Sequence, residues 1–80
     1  MEDWNKYEPR FRYMMLSRMK SDCDYYIRIE AGSPYILWAG SEKAQIENMK
    51  TLWNSFPEED KPEWLTWDEI LEYAQKLGVE

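Results

Sequence analysis

Histidine is absent from the 80 residues, and cysteine occurs once, as Cys23. Losing histidine removes the side chain that most often moves protons near neutral pH and most often binds transition metals. Much hydrolytic chemistry is thereby disfavoured. One cysteine allows no intramolecular disulfide and completes no cysteine-based zinc site within a chain, which fits a reducing, cytoplasmic setting. The glycines are few and scattered, at Gly32, Gly40 and Gly78, so neither a P-loop nor a G-x-G-x-x-G turn exists to cradle phosphate. No stretch approaches the roughly 18 apolar residues of a spanning helix. The start, Met1-Glu2-Asp3-Trp4, lacks the basic and apolar regions of a signal peptide. The expectation is a protein that does not meet membrane and stays where it is made.

What the chain does have is aromatic surface. Five Trp and six Tyr stand within a 44% hydrophobic composition, and each large ring buries about 150–250 Å². Area scaling gives roughly 5,200 Å² exposed for a folded chain of this mass, enough for one thin core and no second domain. Charge is lopsided. Residues 1–40 carry equal numbers of acids and bases, so the net charge of −6 lies wholly in residues 41–80. Arg10, Arg12, Arg18 and Lys20 form a basic stretch without an intervening acid. Glu58, Glu59, Asp60, Glu63, Asp68, Glu69 and Glu72 face Lys61 alone. Such a field repels phosphate and attracts basic protein surfaces at low salt, so duplex DNA is disfavoured as the main partner.

Along the chain, residues 1–8 show no period and read as an N-terminal arm before a single helical domain over 9–80. Pro9 suits a first helical position. Phe11, Met15, Met19, Cys23 and Tyr26 then fall on one helical stripe, which predicts a first helix over 9–24. The Arg18–Asp22 and Asp24–Arg28 pairs favour its continuation, whereas Tyr25 to Ile29 is rich in strand formers. Either way a stop is expected near Ala31-Gly32, with Gly32-Ser33-Pro34 as a turn. A hairpin of 26–30 with 35–38 is one reading of this region. Ser41 as N-cap and Ile46, Met49, Trp53 and Phe56 as a buried stripe predict a second helix over 42–55. Residues 57–63 form an acidic connector. Thr66 and Glu69 make a capping box, with Leu65 and Ile70 as its hydrophobic staple. The third helix then buries Ile70, Leu71, Ala74 and Leu77, carries Lys76 in its last turn and stops at Gly78. The fold class predicted is mainly α: a small single domain of three helices with a short extended or β-hairpin segment between the first two.

Each candidate for chemistry has an ordinary structural reading beside it. Cys23 lacks a base to make it thiolate and reads as a small core residue. Asp22 and Asp24 point about 200° apart on a helix and belong to no calcium loop pattern, so no metal site, no cofactor and no catalytic residue is expected. Trp38 and Trp53 read as core. Trp64 and Trp67, set among acids, read as apolar anchors of a partner surface, with Trp64 packing beneath the connector as the plainer alternative. The acidic run is a solvated face or, in the sharper reading, a mimic of a nucleic-acid backbone.

The ordered series Leu16-Ser17-Arg18-Met19-Lys20-Ser21-Asp22-Cys23-Asp24-Tyr25-Tyr26, Leu37-Trp38-Ala39-Gly40, Gln45 to Trp53, and Lys61-Pro62-Glu63-Trp64-Leu65-Thr66 leading to Ile70 and Tyr73 resembles the large polyvalent protein-associated domains of phages and conjugative elements. The resemblance covers residues 12–77 and departs at 27–35, where a Gly- and Asn-rich loop would be expected. It carries over no catalytic residues. It implies a mobile genetic element acting inside a bacterial host cell. In that context small acidic proteins resemble inhibitors of host defence, such as anti-CRISPR proteins. The expected function is therefore a non-enzymatic inhibitor that binds a basic surface of a host nuclease or effector complex. Its partner-binding residues would be Glu58, Glu59, Asp60, Glu63, Trp64, Trp67, Asp68, Glu69 and Glu72. Two rivals remain: an accessory interaction module for proteins of the same element, and single-stranded nucleic-acid binding through Arg10, Arg12 and Arg18.

Overall fold

The structure is a computed structural model, which describes residues 3–30 and 33–79. Among these residues there are three α-helices, α1 (Pro9–Arg28), α2 (Glu42–Asn54) and α3 (Trp67–Lys76), joined by irregular segments and three short 3-10 turns. Helix α2 packs against both α1 and α3. The accessible surface is 5104 Å², close to the value that mass scaling gives.

Each helix begins where its sequence provides an N-terminus. Pro9 occupies the first turn of α1, where a missing N–H leaves nothing unsatisfied. Ser41 caps α2 by accepting from the Ala44 amide. At α3 the capping box is closed in both directions: the Glu69 amide donates to Thr66 Oγ1 at 3.1 Å and the Thr66 amide donates to Glu69 Oε1 at 2.9 Å. Leu65 and Ile70 are both buried beside it, as a hydrophobic staple requires. Gly78, at φ +79, takes the left-handed conformation that ends α3.

The hairpin reading of 26–30 and 35–38 is not supported. Helix α1 runs to Arg28, and no strand occurs among the described residues. The physical reason is visible in both halves. Tyr26 continues the buried stripe of Met15, Met19 and Cys23, so the helical path keeps its ring in the core and a strand would remove it. In the second half, the Trp38 amide donates to Asp22 Oδ2 and the Ala39 amide donates to Gln45 Oε1, each at 3.0 Å. Side chains thus satisfy the amides that a strand partner would have used. Glu30, at φ +49, is a non-glycine residue in the left-handed region just after α1; the expected stop at Ala31-Gly32 lies outside the described residues. Of the Gly32-Ser33-Pro34 turn, only Ser33 and the backbone of Pro34 fall within them.

The core contains Leu16, Met19 and Cys23 from α1, Ile46, Met49 and Leu52 from α2, Leu65 before α3, and Ile70 and Ala74 within it. Leu71, expected on the buried face, is only partly buried. Trp53 packs at the core's margin, but Trp38 departs from its expected place: it is 41% exposed and leans on Trp4 with ring centroids 5.7 Å apart. Trp4 takes the interior position. It is 2% exposed and its Nε1 donates to Asn48 Oδ1 at 3.0 Å, so the segment read as an arm contributes a core residue.

Cys23 lies fully buried, 3.7 Å from Met49 Sδ, and burial first, then the nearby Asp22 and Asp24 carboxylates, push its thiol up to about 12. A thiol in that state is inert toward alkylation. Native protein exposed to iodoacetamide at about pH 8 is expected to stay unlabelled while urea-unfolded protein labels fully; rapid labelling of the native chain would show that the core opens easily.

Candidate functional site

The acidic residues of the second half fall into two groups held by different devices. Glu58, Glu59 and Asp60 form an exposed 3-10 turn and Glu63 follows on the surface. This connector is pinned from beneath. Lys61 Nζ donates to the Phe56 carbonyl, lies 4.8 Å from the centre of the Trp53 ring and stands 3.8 Å from Glu58. Trp53 Nε1 donates to the Leu65 carbonyl at 2.9 Å, and Pro62 is buried. The lone base of the run is therefore spent on holding the segment, and the carboxylates around it stay in water.

The second group, Asp68, Glu69 and Glu72, lies on α3. Asp68 and Glu72 are exposed one turn apart, while Glu69 is partly buried and occupied by the capping box. The two candidate tryptophans have different surroundings. Trp67 is partly buried, with its ring 5.4 Å from that of Trp53 and Lys50 Nζ 5.9 Å from its centre. Trp64 is 42% exposed, tilted against Tyr13 at 6.4 Å, and Tyr13 in turn stacks on Phe56 at 4.3 Å. Trp64 is thus an exposed indole supported by Tyr13 and adjacent in the chain to the exposed Glu63.

Two networks escaped sequence reasoning. Arg12, expected in a basic binding stretch, turns inward. Its Nε donates to the Tyr7 carbonyl at 3.1 Å, its Nη1 donates to the carbonyl (3.0 Å) and hydroxyl (2.8 Å) of Ser55, and its Cζ lies 4.9 Å from the Phe56 ring centre. That geometry closes the C-terminus of α2, where cations are favoured, and withdraws Arg12 from any surface role. The second network joins α1 to α3. Tyr73 Oη donates to Asp24 Oδ1 at 2.6 Å and Lys20 Nζ donates to Asp24 Oδ2 at 3.0 Å. Asp24 is thus paired with Lys20, not with Arg28 as its spacing also allowed. The separation of 49 residues between Asp24 and Tyr73 left no local pattern by which to find their contact.

The cluster sets its own pH dependence. Burial would raise the Asp24 carboxyl, but the hydrogen bonds from Tyr73 and Lys20 outweigh it and hold the group below its usual value. Tyr73 is pushed up to about 12, by burial first and then by its bond to Asp24, with Lys20 opposing. Lys20 is raised by Asp24 against a desolvation penalty. A depressed carboxyl stabilises the fold above its unfolded value and loses that contribution as pH falls through its folded value. The raised Tyr73 and Lys20 contribute fully below their ordinary values of 10.0 and 10.5 and lose this as pH rises through their folded values. Tyr73→Phe is expected to lower the melting temperature at about pH 7, with a narrower gap in acid, once Asp24 is protonated. An equal gap at both pH values would show that packing, and not the bond to the charged carboxylate, carries the difference.

Among the described residues, no group of three acids and cysteines is placed to hold a metal ion, and no helix is long and apolar enough to cross a membrane. An open groove of about 310 Å³ runs between α1 and α3, with Asp24, Ile27, Glu72, Tyr73 and Lys76 among its walls. Compared with known proteins, residues 9–77 match the family model described as large polyvalent protein-associated domain 11. No curated protein and no solved structure gives a significant match.

Proposed function

The chain belongs to the large polyvalent protein-associated domain 11 family, and from that premise we propose that it is a non-enzymatic binding protein of a mobile genetic element whose acidic edge docks on a basic protein surface. The partner class is a host nucleic-acid-binding complex, such as a defence nuclease, whose phosphate-binding channel the carboxylates occupy. The observation that carries the proposal is Trp64, an exposed indole tilted against Tyr13, which stacks on Phe56, and next in the chain to the exposed Glu63. Protein interfaces concentrate their binding energy in such aromatic anchors. Surrounding charges govern the encounter rate and its salt dependence.

Membership of a family named for large polyvalent proteins favours a second reading, an accessory module that binds proteins of the same element. The two readings share a surface and differ in the partner. Capture with tagged protein from bacterial lysate, at low and then high salt, is expected to retain a nucleic-acid-binding host complex that salt releases. Capture confined to proteins of the same element would establish the accessory reading instead. Trp64→Ala is expected to weaken a captured complex by at least about 2 kcal/mol, roughly thirtyfold. Combined reversal of Glu59, Asp60 and Glu63 to lysine is expected to abolish capture with the melting temperature unchanged. Unaltered affinity in both variants would remove the acidic edge as the docking surface.

A further inference from the structure

Helix α1 carries a second surface that the docking proposal does not use. Arg10, Met14, Arg18, Ser21, Tyr25 and Arg28 follow one another at intervals of three or four residues, and all six are exposed. They make a single crest along the helix, about 27 Å from Arg10 to Arg28 at 1.5 Å per residue. The crest contains three arginines and no acid. Tyr25 and Arg28 are already paired as a platform, with the Arg28 Cζ 5.2 Å from the centre of a ring that is 44% exposed.

Two carboxylates of α1 flank the crest, and Asp22 is shared between it and the segment before α2. Asp22 accepts from the Trp38 amide, with Arg18 Nε 3.9 Å away, and Asp24 is held by Lys20 and Tyr73. Glu69 and Glu72 stand across the groove that Arg28 also lines, and Glu69 is committed to its capping box. The geometry points to a single-stranded nucleic acid as the ligand of this crest, its phosphates meeting Arg10, Arg18 and Arg28 and a base stacking on Tyr25. A charged strand along cations, with an aromatic ring offered to a base, is how sequence-tolerant single-strand binding works. The net charge of −6 does not forbid it, because it arises from residues 41–80, outside the helix that carries the crest, and charges more than about 10 Å apart are largely screened at 0.1 M salt. Arg12, which the sequence places in the same basic stretch, takes no part, and Arg28 replaces it.

The inference stands apart from the docking proposal and is tested separately, by fluorescence anisotropy of a short labelled oligothymidine with the full-length protein. Three phosphate contacts predict a slope of about −2 in log affinity against log salt, a loss of about twentyfold between about 50 and 200 mM. The triple variant Arg10→Gln, Arg18→Gln, Arg28→Gln is expected to lose binding while keeping its circular dichroism spectrum, since all three side chains are exposed. Arg18→Gln alone is expected to reduce the slope by about 0.7, and Tyr25→Ala to weaken binding without changing the slope. Glu72→Lys is expected to strengthen binding, whereas reversal of Glu59, Asp60 and Glu63, which defines the docking edge, leaves the slope and the dependence on Tyr25 intact. No anisotropy change for the native protein at about 50 mM salt would overturn the assignment, as would binding that survives the triple variant. Self-association that the arginine variants abolish, without oligothymidine binding, would assign the crest to contacts between copies and overturn it equally.

Discussion

Trp4→Ala is expected to destabilise the protein by about 3–5 kcal/mol, the usual cost of truncating a buried aromatic side chain to alanine. A chain of this length has only about 4–12 kcal/mol of stability in total, so the variant would stand at the edge of unfolding. The expectation rests on two observations. The indole is 2% exposed, so its apolar area is withdrawn from water, and its Nε1 donates to Asn48 Oδ1 on α2. Trp4→Phe separates the two contributions, because it keeps most of the buried area and leaves Asn48 Oδ1 without its donor. It is expected to cost about 1–3 kcal/mol, the range for a lost hydrogen bond with an orphaned partner. Urea denaturation of the three proteins reads both values. A loss under about 1 kcal/mol in Trp4→Ala would show that residues 3–8 lie on a body that is complete without them.

The second large effect concerns Gln45, the only polar residue buried in the core among the described residues. Its side chain bridges α1 and the segment before α2. Nε2 donates to the Met19 carbonyl of α1 at 3.1 Å, and Oε1 accepts the Ala39 amide from the segment before α2 at 3.0 Å. Methionine has nearly the same shape and length but no amide. Gln45→Met is therefore expected to cost about 1–3 kcal/mol through the unpaired groups, with little contribution from packing. The loss of protection should be local, centred on the Ala39 amide in hydrogen exchange. A variant as stable as the native protein, with Ala39 still protected, would show that the bridge adds nothing to the fold.

These two residues also separate what the sequence discloses from what it conceals. Local signals were reliable wherever the cause was local. Thr66 and Glu69 specify the start of α3 because both halves of a capping box lie within one turn. The stripe of Met15, Met19 and Cys23 specifies the buried face of α1 because helical geometry alone brings those side chains together. The stretch from Tyr25 to Ile29 was ambiguous because strand and helix propensities compete there. Tertiary contact decided it, through the burial of Tyr26 and its 2.7 Å hydrogen bond to Glu42 on α2. Trp4 and Trp38 are chemically alike and neither lies on a strong periodic pattern. Only the packed chain distinguishes the one that enters the core from the one that remains at its margin.

The candidate surfaces divide in the same way. Charge placed the acidic edge, since the run from Glu58 to Glu72 with one lysine is visible by counting. Counting did not disclose that Lys61 would be consumed beneath the connector, or that Trp67 would pack on Trp53 while Trp64 stayed in solvent. In the basic stretch, sequence proximity was misleading. Arg12 faces Ser55 and Arg28 joins Arg10 and Arg18, because a helical crest collects residues every 3.6 positions and not those that adjoin in the chain.

By itself, then, the sequence determined the helical class, the starts of the three helices, the buried stripe of α1 and the uneven distribution of charge. Each depends on residues within a few positions of one another, or on composition alone. Tertiary structure decided the path of residues 25–39, the burial of Trp4, the bridge made by Gln45, the contact of Asp24 with Tyr73 and the inward turn of Arg12. Each of these is fixed by the approach of segments distant in the chain, where the desolvation of one group is offset only by a partner that no local pattern names.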